Sequence, residues 1–423
     1  MTTTAGNTAE LLGLFPPGSR VDADGELTVG GCRLADLAAE WGTPLYVIDE
    51  AGVRDNVRRF RRALGAAWPR SRMVFASKAF PSTPMYRLMA GEGIGVDVAG
   101  AGELAMALAG GVDPDLIVMH GNAKTTAELQ QALNAGVGLI VIDNSDDIDR
   151  LDELGAAGQR VLIRVLPGVR PDTYEAVATG QAGSKFGLPL PAARAAIERL
   201  RGGQLQLDGL HLHIGSQILS AEPYTRAVEA VAGLGEFGLY NLGGGLGVRY
   251  TYADSPPSPE EWAGTLGAAA RRCLPSGAEL LIEPGRSLVA PFGVTVYRVV
   301  SVKGEDPRFV AVDGGMADNM EVALYGQRFE ATLASRAGGG HPVELVGRHC
   351  ESGDRLISGV PLRDPRPGDL LAMPVTGAYC GTMANNYNGA LRPPVVFASG
   401  GQARLAVRRE TLGDLMSRDV PPA

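Results

Sequence analysis

The chain has little of what would mark a secreted, membrane-spanning or nucleic-acid-binding protein. Its 423 residues include four cysteines, Cys32, Cys273, Cys350 and Cys380, scattered without metal-ligand spacing. That pattern suits a reducing cytoplasm better than a disulfide framework. No stretch approaches the roughly 18 to 20 uninterrupted apolar residues of a membrane span. Positive charge is also short: the formal net charge is −8, with no long run of either sign. Nucleic acid and anionic membranes are therefore not expected partners. Met1 to Leu14 lacks both a basic start and an apolar core, so no secretory signal is expected there. What remains is ordinary globular material, 45% apolar and 20% charged, with 58 glycines, many of them at expected strand-to-helix joints. The length suits two or three domains, although an α/β barrel alone can use about 250 residues.

Residues 1–44 read as a tail, a strand near Gly25–Val29 and a short helix, Leu34–Trp41, that Gly42 stops. An alternation then begins. Strands are expected at Leu45–Ile48, Arg72–Ala76, Gly95–Val98, Leu116–Met119, Leu139–Val141, Val161–Val165, Leu210–Ile214, Tyr240–Leu242 and Glu279–Glu283. Amphipathic helical segments lie between them, one of them opened by the capping pair Asn144-Ser145. About eight short, almost wholly apolar strands interleaved with helices over 45–295 favour a closed parallel (β/α)8 TIM barrel. An open doubly wound sheet is the other arrangement such alternation permits. Past Pro291 the pattern changes to β-branched and alternating segments joined by Gly, Pro and Asp turns, which predicts a C-terminal all-β domain, barrel or sandwich, over 296–423. The N-terminal 1–44 is expected to pack with it.

Chemistry is to be sought at the C-terminal ends of barrel strands. Val74-Phe75-Ala76-Ser77-Lys78-Ala79-Phe80 ends an apolar strand in a lysine, which desolvation would suit to a Schiff base. His213 lies beside Ser216 in His211-Leu212-His213-Ile214-Gly215-Ser216-Gln217. Gly243-Gly244-Gly245 follows a strand, where bare backbone N–H groups can cradle a phosphate. Glu283-Pro284-Gly285-Arg286 closes the last strand with an acid and a base. Singly these are a strand-end lysine, a satisfied histidine, a tight turn and a salt-bridged arginine. Together they supply a Schiff-base lysine, a phosphate loop and an acid for a pyridinium nitrogen, the parts a pyridoxal 5′-phosphate site needs. No metal site is expected.

From about Pro44 to Arg392 the chain resembles the fold type III pyridoxal-phosphate-dependent decarboxylases, nearest to the diaminopimelate decarboxylases. The resemblance is carried by Phe75-Ala76-Ser77-Lys78-Ala79, His120-Gly121-Asn122-Ala123-Lys124, Ser184-Lys185-Phe186-Gly187, the His213 and Gly243 segments, Glu283-Pro284-Gly285-Arg286, Cys350-Glu351-Ser352-Gly353-Asp354 and Gly377-Ala378-Tyr379. It implies a cytoplasmic amino-acid decarboxylase, built as a head-to-tail homodimer with shared active sites and acting on a small amino acid. Lys78 would hold the cofactor, His213 stack on its ring, Glu283 pair with the ring nitrogen and Asp97 lie near it. Ser216, Gly243, Gly244, Gly245, Gly285, Arg286 and Tyr379 would bind its phosphate side. Cys350 would donate a proton and Glu351 meet the substrate amine, both from the neighbouring subunit. Arg286 and Tyr325 would bind the distal carboxylate of meso-diaminopimelate, which decarboxylation turns into L-lysine.

One departure stands out. The family has an arginine in Arg-Pro-Ala-Leu-Tyr, and this chain reads Glu321-Val322-Ala323-Leu324-Tyr325. Exchanging a cation for an anion beside a buried carboxylate is worth about 2 to 5 kcal/mol. Either Arg286 and Tyr325 suffice, or the substrate's far end differs, as in an ornithine- or lysine-like compound or a specialised intermediate. A racemase and a non-catalytic pyridoxal-binding protein share the same barrel. The Cys350 segment argues against the first, and the long β domain against the second.

Overall fold

The computed structural model describes residues 12–169, 180 and 183–420. Eight segments are largely apolar because each is covered twice, by helices outside and by other strands' side chains inside. They are β1 (Ser71–Ala76), β2 (Gly95–Val98), β3 (Ile117–Met119), β4 (Leu139–Ile142), β5 (Arg160–Leu166), β6 (Gln206–His211), β7 (Leu239–Asn241) and β8 (Glu279–Ile282). Each pairs in parallel with the next, and β8 returns to β1, so the sheet closes into a barrel. Its interior is filled by Val74, Val118, Leu139, Val141, Leu162, Leu239 and Leu281. Cutting one of these back, as in Leu162→Ala, costs about 2 to 5 kcal/mol.

The crossover helices start where the sequence provides a cap. Thr125 and Glu128 form a reciprocal capping box before Thr126–Ala135, as Ser258 and Glu261 do before Pro259–Cys273. Asn144 accepts the Asp147 N–H, as the Asn144-Ser145 pair predicts. These helices hold the strand-to-helix loops at the C-terminal mouth of the barrel.

By internal contacts the chain divides into two compact units, one made of Asn56–Val248 and Ser255–Leu288. The other joins the N-terminal residues to Arg249–Asp254 and to everything from Val289 onward. Its central strand, Gly293–Lys303, is flanked antiparallel by Leu45–Asp49, Leu370–Pro374 and Phe309–Val312. Leu45–Asp49 therefore corrects an expectation: it reads as a barrel strand, yet it pairs antiparallel with Gly293–Val296 and in parallel with Val395–Ala398. An apolar strand shows that both its faces are buried, and does not show which sheet buries them. Phe15, Leu27, Val29, Leu34, Leu37, Leu45, Val47, Val294, Val296 and Val396 share one apolar core. Among the described residues past 296, the all-β expectation missed three short α-helices, Met320–Tyr325, Cys380–Met383 and Leu412–Met416, and three strands, Thr332–Leu333, Arg355–Leu362 and Val395–Ser399.

Candidate active site

At the end of β1 the chain turns into one 3-10 turn, Ser77–Ala79. Ser77 and Ala79 are buried and Lys78 between them is exposed, so this side chain stands free at the strand end. Asp97, on β2, accepts the Ser77 N–H at 3.1 Å and so holds the turn that presents the lysine. Burial, reinforced by Glu283, pushes the Asp97 carboxyl up to about 7, against the opposing pull of His120 and Lys78.

The centre of this unit is Glu283, just past β8 and 6% exposed. Three N–H donors converge on its two oxygens. His120 Nε2 lies 2.8 Å and Asn241 Nδ2 2.6 Å from Oε1, and His211 Nε2 lies 3.1 Å from Oε2. A carboxylate can only accept, so both imidazoles carry their proton on Nε2. Burial alone raises the acid, but the two imidazoles outweigh it and hold Glu283 well below the usual carboxylate range. Burial in turn pushes His211 down to about 4, so it donates as the neutral ring. His120, His211 and Glu283 are close enough to one another to suggest a metal site. With both Nε2 atoms donating to the acid, the cluster forms a hydrogen-bonded clamp.

His213 lies two residues beyond the clamp's His211. Burial, then Lys78 and Arg164, drive its imidazole well below its ordinary range. Its Nδ1 accepts the Gly244 N–H at 3.3 Å, which fixes a neutral ring against the glycine loop. The glycines have steric reasons. A Cβ on Gly244 would lie 2.1 Å from the Glu283 carbonyl oxygen, and one on Gly245, at φ +104°, 2.2 Å from that of Gly215. A Cβ on Gly285 would meet that of Ala76 at 2.8 Å. Ser216 Oγ accepts from buried Arg286 Nε at 3.3 Å. The strand-end segments therefore gather a presented lysine, an ionised acid, a neutral ring and a backbone cradle with a cation. That donor set fits pyridoxal phosphate.

The second unit holds the other expected residues. Cys350 is exposed, with its N–H on Asn388 Oδ1 at 3.2 Å, and Glu351 accepts from the Tyr387 hydroxyl. Tyr325 ends the helix Met320–Tyr325, and Tyr379 opens the helix Cys380–Met383 at φ 63°, the left-handed region a tyrosine seldom adopts. Glu321 lies on the same short helix as Tyr325 but is 1% exposed, and it accepts from the Tyr250 hydroxyl at 3.4 Å.

Asn241 and Arg164 escaped sequence reasoning as site residues, and His120 and His211 entered only as parts of quoted segments. Their signal is shared: a polar residue at or near the end of an otherwise apolar strand. Arg164 is 8% exposed on β5, 3.7 Å from Asp143, with its guanidinium 4.4 Å from the Phe186 ring centre.

Among known proteins, the family described as pyridoxal-dependent decarboxylase, pyridoxal binding domain, matches residues 50–290. The diaminopimelate decarboxylase of Actinosynnema pretiosum subsp. auranticum is 46% identical over 429 residues, spanning 96% of this chain and 95% of that protein. The one from Bacillus subtilis strain 168 is 41% identical, spanning 95% of this chain and 97% of its own. Of solved structures, the M. jannaschii diaminopimelate decarboxylase in complex with L-lysine superposes with a TM-score of 0.89 at 30% identity, covering 96% of this chain and 98% of that one.

Proposed function

The chain belongs to the pyridoxal-dependent decarboxylases, and from that premise we propose that it converts meso-diaminopimelate to L-lysine and carbon dioxide. The observation that carries the chemistry is the clamp on Glu283, an acid kept ionised in a buried place by three donors. Pyridoxal phosphate, when bound, supplies the electron sink that the broken bond at the substrate α-carbon requires.

The protein's own groups do the rest. Lys78 is the amine that would hold the cofactor at its aldehyde carbon. Glu283, kept anionic, would hold a proton at the ring nitrogen. His213, neutral, offers a flat face to the ring, and Asp97 keeps the lysine turn in place. Ser216, Gly243, Gly244, Gly245, Gly285, Arg286 and Tyr379 bind the phosphate side. Arg286 and Tyr325 take the distal carboxylate, Glu351 the substrate amine, and Cys350 gives the α-carbon its proton. Cys350 and Glu351 serve the site of a second copy of the chain, in a homodimer. No helix among the described residues is long and apolar enough to cross a membrane. The cytoplasmic location that we propose rests on the scattered cysteines and the family resemblance.

A second reading is favoured by Glu321, whose inward carboxylate replaces the family's arginine beside Tyr325. On that reading the substrate lacks a distal carboxylate. A panel decides: purified enzyme with pyridoxal phosphate should release carbon dioxide and L-lysine from meso-diaminopimelate. No lysine there, with turnover of an amino acid lacking the distal carboxylate, would establish the second reading instead. Carbon dioxide release itself excludes racemisation.

A further inference from the structure

The segment Cys350–Asp354 ends in an aspartate to which nothing above gives a role. Asp354 is 4% exposed, and both its oxygens are aimed at backbone. Oδ2 accepts the His349 N–H and Oδ1 the Met316 N–H, each at 2.7 Å. The first donor directly precedes Cys350. The second belongs to the turn Gly314–Asn319, which leads straight into the helix bearing Glu321 and Tyr325. The same two loops are joined again by the Arg348 N–H on the Gly314 carbonyl at 2.9 Å.

Room has been kept for this carboxylate. A Cβ on Gly347 would lie 2.2 Å from Asp354 Oδ2, and one on Gly315 2.5 Å from Oδ1. Neither glycine has a positive φ, so backbone conformation does not demand glycine at either position. The turn is then anchored from its other side. Asp318 accepts the Gly315 N–H at 2.9 Å and the Tyr297 hydroxyl at 2.5 Å. Asn319 Oδ1 accepts from Cys380 Sγ at 3.5 Å, next to Tyr379, and the Ala317 carbonyl accepts the Asn385 N–H at 2.9 Å. One short turn thus ties together the Cys350 loop, the Tyr325 helix and the Tyr379 turn.

We propose that Asp354 is a positioning residue for the decarboxylation, holding the Cys350–Glu351 loop in fixed relation to the Tyr325 helix through its bonds to the His349 and Met316 N–H groups. The inference rests on the roles assigned above to Cys350 and Tyr325. A carboxylate is required because both of its neighbours are donors: an asparagine would have to turn its amide –NH2 on one of them, releasing one loop while keeping the volume. A shift of about 1 Å in a proton donor is enough to cost roughly 100-fold in rate.

The test is a double-mutant cycle on the holoenzyme, with Asp354→Asn, Cys350→Ala and both together. Asp354→Asn should lower kcat about 100-fold, with substrate KM, cofactor absorbance and melting temperature little changed, and should lower it no further in the Cys350→Ala background. Gly347→Ala, which crowds the carboxylate without removing it, should act in the same direction. Full activity of Asp354→Asn beside an impaired Cys350→Ala overturns the positioning role alone. So do additive losses in the double variant, or a loss explained by melting or cofactor release. Full activity of Cys350→Ala overturns the reading of Cys350, and this inference with it.

Discussion

Replacing Glu283 by glutamine separates the charge of the clamp from its shape. The glutamine amide can keep its oxygen toward His120 and Asn241 and place its –NH2 opposite His211 Nε2. His211 can accommodate that exchange, because its buried Nδ1 has no partner and can take the proton instead. The variant should therefore fold. Three hydrogen bonds to a charged acceptor become ordinary ones, a loss of about 1 kcal/mol each. Relief of a buried ion's desolvation, itself several kcal/mol, offsets most of that. Apoprotein stability should then move by no more than about 2 kcal/mol. Activity should not be spared. A carboxylate facing a pyridinium about 4 Å away is worth about 4 kcal/mol at an effective dielectric of about 20. That corresponds to about 10³-fold in rate. The assay is carbon dioxide release under saturating substrate and cofactor, beside a melting curve of the apoprotein. A fall in kcat of less than about tenfold with the cofactor still bound would refute Glu283 as the acid that keeps the ring nitrogen protonated.

Three further outcomes follow from the same geometry. Lys78→Ala should abolish the visible absorbance of the bound cofactor while leaving the fold intact, since Lys78 is exposed; persistence of that band would remove it from the centre of the reaction. His211, lowered by burial from 6.5 to about 4, favours folding fully above pH 6.5, and this contribution is lost as pH falls toward 4. In denaturant titrations His211→Gln should therefore lose about 3 kcal/mol less than the parent across that range, and equal losses would refute the neutral ring. Asp318 has the opposite sign: burial raises it from 3.8 to about 7, so its contribution is complete below 3.8 and lost as pH rises through 7. Asp318→Asn should flatten the decline in stability between pH 4 and 8, and an unchanged slope would show that another acid sets it.

The barrel was legible because a doubly covered strand is largely apolar and such runs alternate with capped helices; the strand expected at Leu210–Ile214 lies earlier, at Gln206–His211, where Gln206 and Asp208 break the apolar run. The same rule misplaced Leu45–Asp49, which is as buried as any barrel strand but is covered by another sheet. Pairing partners far apart in the chain leave no trace in one segment's composition. The β domain shows the converse. Arg355–Leu362 alternates so loosely, with Ser358 and Gly359 in mid-run, that only its pairing with His341–Val346 reveals it as a strand.

The candidate site was legible where a residue type is rare or sterically forced. A lysine closing an apolar strand, three successive glycines and an acid followed by Pro-Gly-Arg each stand out singly. What stayed hidden was the relation among ordinary residues. His120, His211 and Asn241 are spaced over more than a hundred positions, and nothing local says that they converge on one carboxylate. Closure of the barrel brings them together, because β3, β6, β7 and β8 all end at the same mouth. Asp354 was quoted only as the end of the Cys350 segment, because nothing local says that both of its oxygens face backbone N–H groups. The residues that touch the reaction announce themselves by type. Those that hold them still are ordinary in kind and are defined only by what the fold sets opposite them.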